Sequence, residues 1–258
     1  MCRLAAYLGR ELSLQTFLLD PTHSLIKQSW APREMTEAVL NADGFGFGWY
    51  PGHQKATTYL NTHPIWSDIN LTGLAASLNS HLWMACVRSA TPGQMTGLNN
   101  TQPFIHGNLL FMHNGYLRDF RESCLMRFNE YLDPVIRAGI NGNTDSEYIF
   151  AIFRQLYNET GKDSASAIRK TVSVINDLAG DIPALLNIII SDGTTIHALR
   201  HAINGKCPSL YWINNSTAFN GGSLVASEPL NEEGNWQVFP EQQILTLSEK
   251  NRLQWTSV

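Results

Sequence analysis

Along most of this chain apolar and polar positions alternate in short runs bounded by turn residues, a pattern that predicts strands more often than helices. The runs are Cys2 to Leu8, Phe45 to Tyr50, Ala56 to Leu60, Leu82 to Ser89, Leu109 to His113, Leu185 to Ser191, Thr194 to Leu199, Leu210 to Ile213, Ser223 to Ala226 and Gln243 to Leu247. Asp192-Gly193 between two of them reads as a hairpin turn, so neighbouring strands are expected to pair antiparallel. Helical spacing appears mid-chain, where Ile149, Phe150, Ile152, Phe153, Leu156 and Tyr157 line one face behind Thr144-Asp145-Ser146-Glu147, a capping box. A second helix, from about Ser164 to Ala179, carries Ile168, Val172, Ile175 and Leu178 inward and stops at Gly180 before Pro183. Strands before and after two helices with apolar stripes predict an α+β layered sandwich.

No internal repeat, low-complexity tract or long Pro/Gly/Ser linker divides the 258 residues, so one domain over 1–258 is expected. Charged residues make up 16% and hydrophobic residues 43%, the balance of a globular chain with sparse surface charge. Lys+Arg 18 against Asp+Glu 22 gives a net charge of -4 without a basic stripe, which argues against nucleic acid or an acidic membrane as the main partner. No apolar run approaches the roughly 20 residues of a membrane span, and the first residues lack a secretory pattern, so the expected compartment is the cytoplasm. The four cysteines, at 2, 86, 124 and 207, show neither CxxC pairing nor zinc-like spacing. Nothing in the pattern requires a metal or an organic cofactor.

Candidate chemistry begins at Cys2. If Met1 is removed, the Cys2 thiol adjoins a free α-amine, and the pair supplies both nucleophile and base; a cysteine at the second position is also a common accident. Arg88 and Thr91 lie in Cys-Val-Arg-Ser-Ala-Thr-Pro-Gly, residues 86 to 93, where a strand gives way to a turn. A guanidinium there can grip a carboxylate through two parallel bonds, or form a surface ion pair. His113-Asn114-Gly115 follows an apolar strand, so the Asn side chain and the Gly N–H could aim two donors at one oxyanion; Asn-Gly is equally a common hairpin turn. Asp145, in the first turn of a helix, could bind an ammonium or serve only the cap. Asp43-Gly-Phe-Gly-Phe-Gly-Trp-Tyr leaves one strand face bare, a sign of close approach by another element, without the context of a phosphate cradle. His197 and His201 need not converge on a metal, and cysteines 86, 124 and 207 read as packing or idle thiols.

Taken in order, Cys2, Arg88 with Ser-Ala-Thr-Pro-Gly, Gln102-Pro103-Phe104, His113-Asn114-Gly115 and Thr144-Asp145-Ser146-Glu147 resemble the glutaminase domain of class II, N-terminal-nucleophile, glutamine amidotransferases. Met-Cys-Arg at the start, Pro21-Thr22-His23-Ser24-Leu25 followed by Gln28-Ser29, Asn41-Ala42-Asp43-Gly44-Phe45-Gly46, and Ala226-Ser227-Glu228-Pro229-Leu230 are most similar to the stand-alone ergothioneine-pathway members (EgtC type), with glutathione-degradation subunits near them. The resemblance spans nearly the whole chain and implies a four-layer αββα sandwich. It implies Cys2 as nucleophile and, through its amine, base; Asn114 and the Gly115 N–H around the oxyanion; Arg88 on the substrate α-carboxylate and Asp145 on its α-ammonium, with Thr91 and His113 in the substrate-binding set. No member of that set is missing.

The reaction so implied is hydrolysis of a γ-glutamyl amide through a thioester, with γ-glutamyl-hercynylcysteine sulfoxide as the expected small-molecule substrate. The leaving group is expected near Trp30, Trp66 and residues 94–100. Three other readings stay open: a glutaminase subunit feeding ammonia to a separate synthetase, a peptidase acting on glutathione-like peptides, and a binding module in which Met1 is retained and blocks the amine. A partner subunit and the oligomeric state are not legible in the sequence.

Overall fold

A computed structural model describes residues 2–35, 40–90, 96–248 and 252–258. The strands are β1 (Arg3–Ser13), β2 (Phe45–Trp49), β3 (Thr57–Asn61), β4 (Asn79–Val87), β5 (Phe104–His106), β6 (Leu109–Leu117), β7 (Ala184–Ser191), β8 (Thr195–Ile203), β9 (Tyr211–Ser216), β10 (Gly222–Ala226), β11 (Gln237–Val238), β12 (Gln243–Ser248) and β13 (Arg252–Ser257). The α-helices are α1 (Leu25–Trp30), α2 (Leu71–Ser77), α3 (Phe120–Ser123), α4 (Leu125–Tyr131), α5 (Pro134–Arg137), α6 (Asp145–Glu159) and α7 (Ser164–Ala179).

Period-two alternation sorts the strand side chains into layers. One sheet runs β11-β9-β10-β1-β4-β2-β3 and the other β13-β12-β8-β7-β6-β5, with antiparallel pairing throughout. Leu4, Ala6 and Leu8 of β1 and Leu82, Met84 and Cys86 of β4 meet Leu110, Met112, Ile189 and Ala198 of the facing sheet in one core. The outer face of the first sheet, with Tyr7, Phe45, Phe47 and Trp83, is covered by Phe17, Leu18, Leu25, Leu71 and Ala75. The outer face of the second, with Phe111, Leu186, Ile188 and Ile190, is covered by α6 and α7 through Ile149, Phe150, Phe153, Ile168, Val172 and Ile175. The result is the four-layer αββα sandwich expected above.

The two long helices form where the spacing places them, α7 with Asp163 capping the N–H groups of Ala165 and Ser166. At α6 the cap differs from the expected box. Thr144 Oγ1 accepts from Glu147 N at 3.2 Å, but the Glu147 carboxylate turns to Asn141 N at 2.7 Å and Gly142 N at 2.6 Å. It orders the loop before the helix instead of closing on Thr144. The Asp192-Gly193 hairpin joins β7 to β8, with the Asp192 carboxylate accepting from Thr194 N and Thr195 N, each at 2.9 Å. Asn114-Gly115 is no turn: β6 continues through it, pairing Asn114 with Asn187 and Gly115 with Leu186. β5, β11 and β13 are short or lie at sheet edges, where little apolar alternation is needed, and the pattern misses them.

The bare face of β2 is explained by packing. A Cβ on Gly46 would overlap the Gln102 carbonyl, and one on Gly48 would lie 2.9 Å from Leu110 Cδ1 of the opposite sheet. Gly46→Ala is therefore expected to destabilise by about 1–3 kcal/mol through overpacking. Gly73, inside α2 with open space around its Cβ position, predicts the opposite sign, with Gly73→Ala stabilising by about 0.5–1 kcal/mol. Urea midpoints of the two variants, read against the parent, check both signs.

Candidate active site

Cys2 lies just ahead of β1. The register Arg3↔Val87 places it beside Arg88 at the end of the β1–β4 pair, and alternation turns its partly buried side chain into the inter-sheet core with Leu4. Cys86, opposite Leu4, shares that face. Its thiol donates to the Val87 carbonyl at 3.7 Å, and its place beside the Cys2 sulfur is the main reason the Cys2 thiol is lowered to about 6; burial pushes the other way, and the N-terminal charge, the Ser89 N–H and the Arg88 charge add to the lowering. Cys86 itself is raised well above an ordinary thiol by the neighbouring Cys2 sulfur and by burial. Its sequence reading as an idle packing thiol is thus corrected. The signal was the pairing of β1 with β4, which periodicity alone does not supply.

Asn114 and Gly115 sit on β6 across the core. The Asn114 amide donates from Nδ2 to Ser227 Oγ at 3.3 Å, and Leu4 N donates to the same hydroxyl at 3.0 Å, so one serine ties the Asn114 side chain to the strand that carries Cys2. The second Nδ2 hydrogen is left for another acceptor. Backbone alternation disposes the Gly115 N–H. On either side of it, His113 N donates to Gln102 Oε1 at 2.6 Å and Leu117 N to Asp145 Oδ2 at 2.7 Å, both outside the β6–β7 ladder. Gly115 N–H therefore points to the same edge of β6, away from β7 and beyond the end of β5. A Cβ at Gly115 would overlap the Leu185 carbonyl, so no larger residue fits here.

Asp145 is buried. Its Oδ2 faces this edge, held by Leu117 N, and its Oδ1 accepts from Ser146 N at 2.8 Å. Arg88 is likewise buried; its Nη1 donates to the Asp43 carbonyl at 3.3 Å, while Asp43 Oδ2 accepts from Ala90 N at 2.8 Å, so the Asn41 to Gly44 segment braces the arginine. These placements bring Cys2, Arg88, Asn114, Gly115 and Asp145 to one end of the two sheets.

His113 is not brought there. Alternation sends its ring to the helical side, where Nδ1 meets Ser146 Oγ and Nε2 meets the Leu185 carbonyl, both at 2.9 Å; burial keeps it below the ordinary imidazole range and so neutral. It clamps β6, β7 and α6 and has no nitrogen left for a substrate. Thr91, with Gln94 and Met95, lies outside the described residues. Ser227 and Cys86 are the site residues that reading of single motifs did not assign. His197 bonds Thr246 Oγ1 at 3.0 Å, and among the described residues no group of three or more His, Cys, Asp or Glu could hold a metal. Trp30 and Trp66 are about half exposed, with Lys27 Nζ 3.7 Å above the Trp30 ring. No helix of the described residues is long and apolar enough to cross a membrane.

The Cys86 contact yields a pH prediction. Removing this neighbour in Cys86→Ala raises the Cys2 thiol toward its ordinary range, so less thiolate is present near pH 6. A rise of about one pKa unit is about 1.4 kcal/mol, so alkylation of Cys2 by iodoacetamide at pH 6, followed by mass spectrometry, should slow about tenfold, with Cys86→Ser recovering most of the rate. An unchanged pH profile in Cys86→Ala would remove Cys86 from the account.

The class-II glutamine amidotransferase family matches residues 14–257, a span that begins after Cys2. A probable glutamine amidotransferase of Saccharomyces cerevisiae, DUG3, is 29% identical over 98% of this chain and 83% of its own. A gamma-glutamyl-hercynylcysteine sulfoxide hydrolase of Mycolicibacterium smegmatis is 28% identical over 95% of both chains. Among solved structures, a glutamine aminotransferase class-II domain protein from Silicibacter pomeroyi superposes with a TM-score of 0.73 at 25% identity, covering 99% of each chain. The chain belongs to the class-II glutamine amidotransferases and is an amidohydrolase of that family.

Proposed function

We propose that this chain hydrolyses γ-glutamyl amides, releasing glutamate through a thioester on Cys2, and that γ-glutamyl-hercynylcysteine sulfoxide is its substrate. The observation that carries the reaction is the position of Cys2, directly ahead of the strand to which Ser227 fastens the Asn114 amide, with its thiol drawn down to about 6. Such a thiol is largely thiolate at neutral pH, and its neighbour is a donor fixed before substrate arrives. Similarity to the Mycolicibacterium hydrolase over nearly the full length of both chains supports the substrate.

In this reading Met1 is removed and the Cys2 amine is free. The thiolate attacks the γ-carbonyl; its oxygen becomes an oxyanion facing Asn114 Nδ2–H and Gly115 N–H. The leaving amine takes a proton from the Cys2 ammonium as the C–N bond breaks. The amine, now neutral, accepts a proton from water, whose hydroxide cleaves the thioester and frees glutamate and the thiol. Arg88 would hold the α-carboxylate and Asp145 the α-ammonium, two charged anchors that fix the glutamyl head and leave selectivity to the leaving group. His113 has no place in this set.

Met-processed protein, verified by intact mass, is assayed for glutamate release from glutamine, glutathione and γ-glutamyl-hercynylcysteine sulfoxide. The highest kcat/KM is expected for the sulfoxide, and a preference for glutamine would favour the ammonia-supplying reading instead. Cys2→Ala is expected to abolish release with the fold intact, and more than trace turnover would reject Cys2 as nucleophile. Asn114→Ala should lower kcat by about 10²–10³ with little change in KM; an effect on KM alone would contradict the oxyanion role. Arg88→Lys should raise KM several-fold through loss of the two-pronged grip, which unchanged kinetics would refute.

A further inference from the structure

A cavity of about 400 Å³ opens beside the candidate active site, walled by Tyr116 of β6, Leu185 of β7, Arg200 of β8, residues 204–210 and Tyr211 of β9, with Arg118, Pro183, Glu34 and Val238 at its margins. It lies on a definite side of the proposed nucleophile. In the first sheet β1 has β4, with Arg88 at its end, on one flank and β10 and β9 on the other. In the second sheet the Gly115 N–H and Asp145 mark the β5 edge of β6, while β7 and β8 lie on the opposite side. The groups assigned to the glutamyl head thus occupy one flank, and the cavity occupies the other. An extended γ-glutamyl amide whose carbonyl sits at Cys2 and whose head sits at Arg88 and Asp145 sends its amine toward the cavity.

The wall between the two is thin and polar. Arg3 Nε donates to the Cys2 carbonyl at 2.9 Å, and its Nη1 donates to Ser209 Oγ, on the cavity wall, at 3.3 Å. Asn187, directly opposite Asn114, donates from Nδ2 to the Ser209 carbonyl at 3.0 Å. Among the described residues, Arg3 Nη2, Asn187 Oδ1 and Asn114 Oδ1 are buried without a hydrogen-bond partner. Orphaned polar atoms cost about 1–3 kcal/mol each, so this boundary is suited to a polar occupant. Its lining also carries three basic side chains, Arg118, Arg200 and Lys206, against one acidic one, Glu34. Glu34 accepts from Tyr211 Oη, and Arg200 is spent on the carbonyls of Pro208 and Phe239 and on Glu241 at 3.4 Å. Among the described residues no carboxylate pairs with Arg118 or Lys206.

Resting on the γ-glutamyl hydrolase reading, we propose that this cavity receives the leaving amine and that Arg118 and Lys206 select amines that carry a carboxylate of their own. A cysteinyl amine or a short peptide satisfies that requirement; ammonia does not. Ser209 and Tyr211 would line the path, and Tyr116, two residues along the same strand face from Asn114, would flank the amide nitrogen.

The test uses Met-processed protein with γ-glutamylalanine and γ-glutamylalanylglycine, each against its C-terminal carboxamide, with glutamine as the reference for the head alone. At least one acid is expected to exceed its carboxamide about tenfold or more in kcat/KM, the size expected of a charge-assisted bond. Arg118→Gln/Lys206→Gln should flatten that ratio while leaving glutamine hydrolysis unchanged. Equal rates for acid and carboxamide in the parent, or a preference that survives the double variant, would overturn the assignment while the hydrolase reading stands. Absence of glutamate release from every substrate, with no binding of either acid to Cys2→Ala by calorimetry, would overturn both.

Discussion

Two apolar sheet faces stacked on each other leave few places for polar groups, and the hydroxyl of Ser227 is the point on which this end of the molecule turns. It accepts from Leu4 N and from the Asn114 amide, so a strand of one sheet and a side chain of the other are referred to a single atom. Ser227 N in turn donates to the Leu4 carbonyl at 2.9 Å, which continues the β1–β10 ladder by one residue. The separation of the two sheets is set by their packed cores. The lateral position of Asn114 relative to Cys2 is set by this bond, and the oxyanion role proposed for the amide requires just such a fixed position.

The residue after it carries a second constraint. Glu228, fully buried, accepts from Arg3 Nη1 at 3.2 Å, His23 Nε2 at 2.7 Å, Arg33 N at 2.9 Å and Glu34 N at 3.1 Å. Burial pushes this carboxyl up, yet the bonds from His23, Arg33 and Glu34 and the Arg3 charge hold it below its ordinary range. Removing one partner from such a cluster leaves a buried charge uncompensated, which costs more than the pair contributes when intact. The cluster joins the loop that carries Glu34, the start of β1 and the end of β10. It thereby aligns Arg3 between the Cys2 carbonyl and the wall of the 400 Å³ cavity.

Much of this was legible in the sequence where the determinant is local. Alternation found the long strands because one residue in two must face an apolar layer, and α7 declared itself through its apolar stripe and Gly180. The motif segments located Cys2, Arg88, Asn114, Gly115 and Asp145, which the fold gathers at one end. What escaped depends on register. Cys86 acts on Cys2 because Leu4 opposes it across β1 and β4, and no single-strand pattern carries that pairing. His113 was grouped with its neighbours, but parity on β6 turns its ring to the helices while Asn114 faces the core. The cavity proposed for the leaving group is built by strand ends distant in sequence, which no single segment displays.

The Gly115 N–H owes its freedom to the strand beside it. β5 spans only Phe104 to His106, paired with Leu109 to Phe111. Continuing the same register toward the chain's start would set residue 102 against His113 and residue 100 against Gly115. At the first of these positions the Gln102 side chain replaces the backbone: its Oε1 accepts from His113 N at 2.6 Å and its Nε2 donates to the His113 carbonyl at 3.1 Å. At the second the chain has already left the sheet, as a 3-10 turn over Leu98–Asn100 whose Asn100 side chain is engaged with Asn143. A full-length β5 would have consumed the Gly115 N–H in the ladder. A β5 that ended without Gln102 would have left His113, and the edge of β6 before Asn114, unsupported. The glutamine terminates the sheet and extends its pairing by one residue pair, and so a donor that pairs with no described residue stands next to a braced strand.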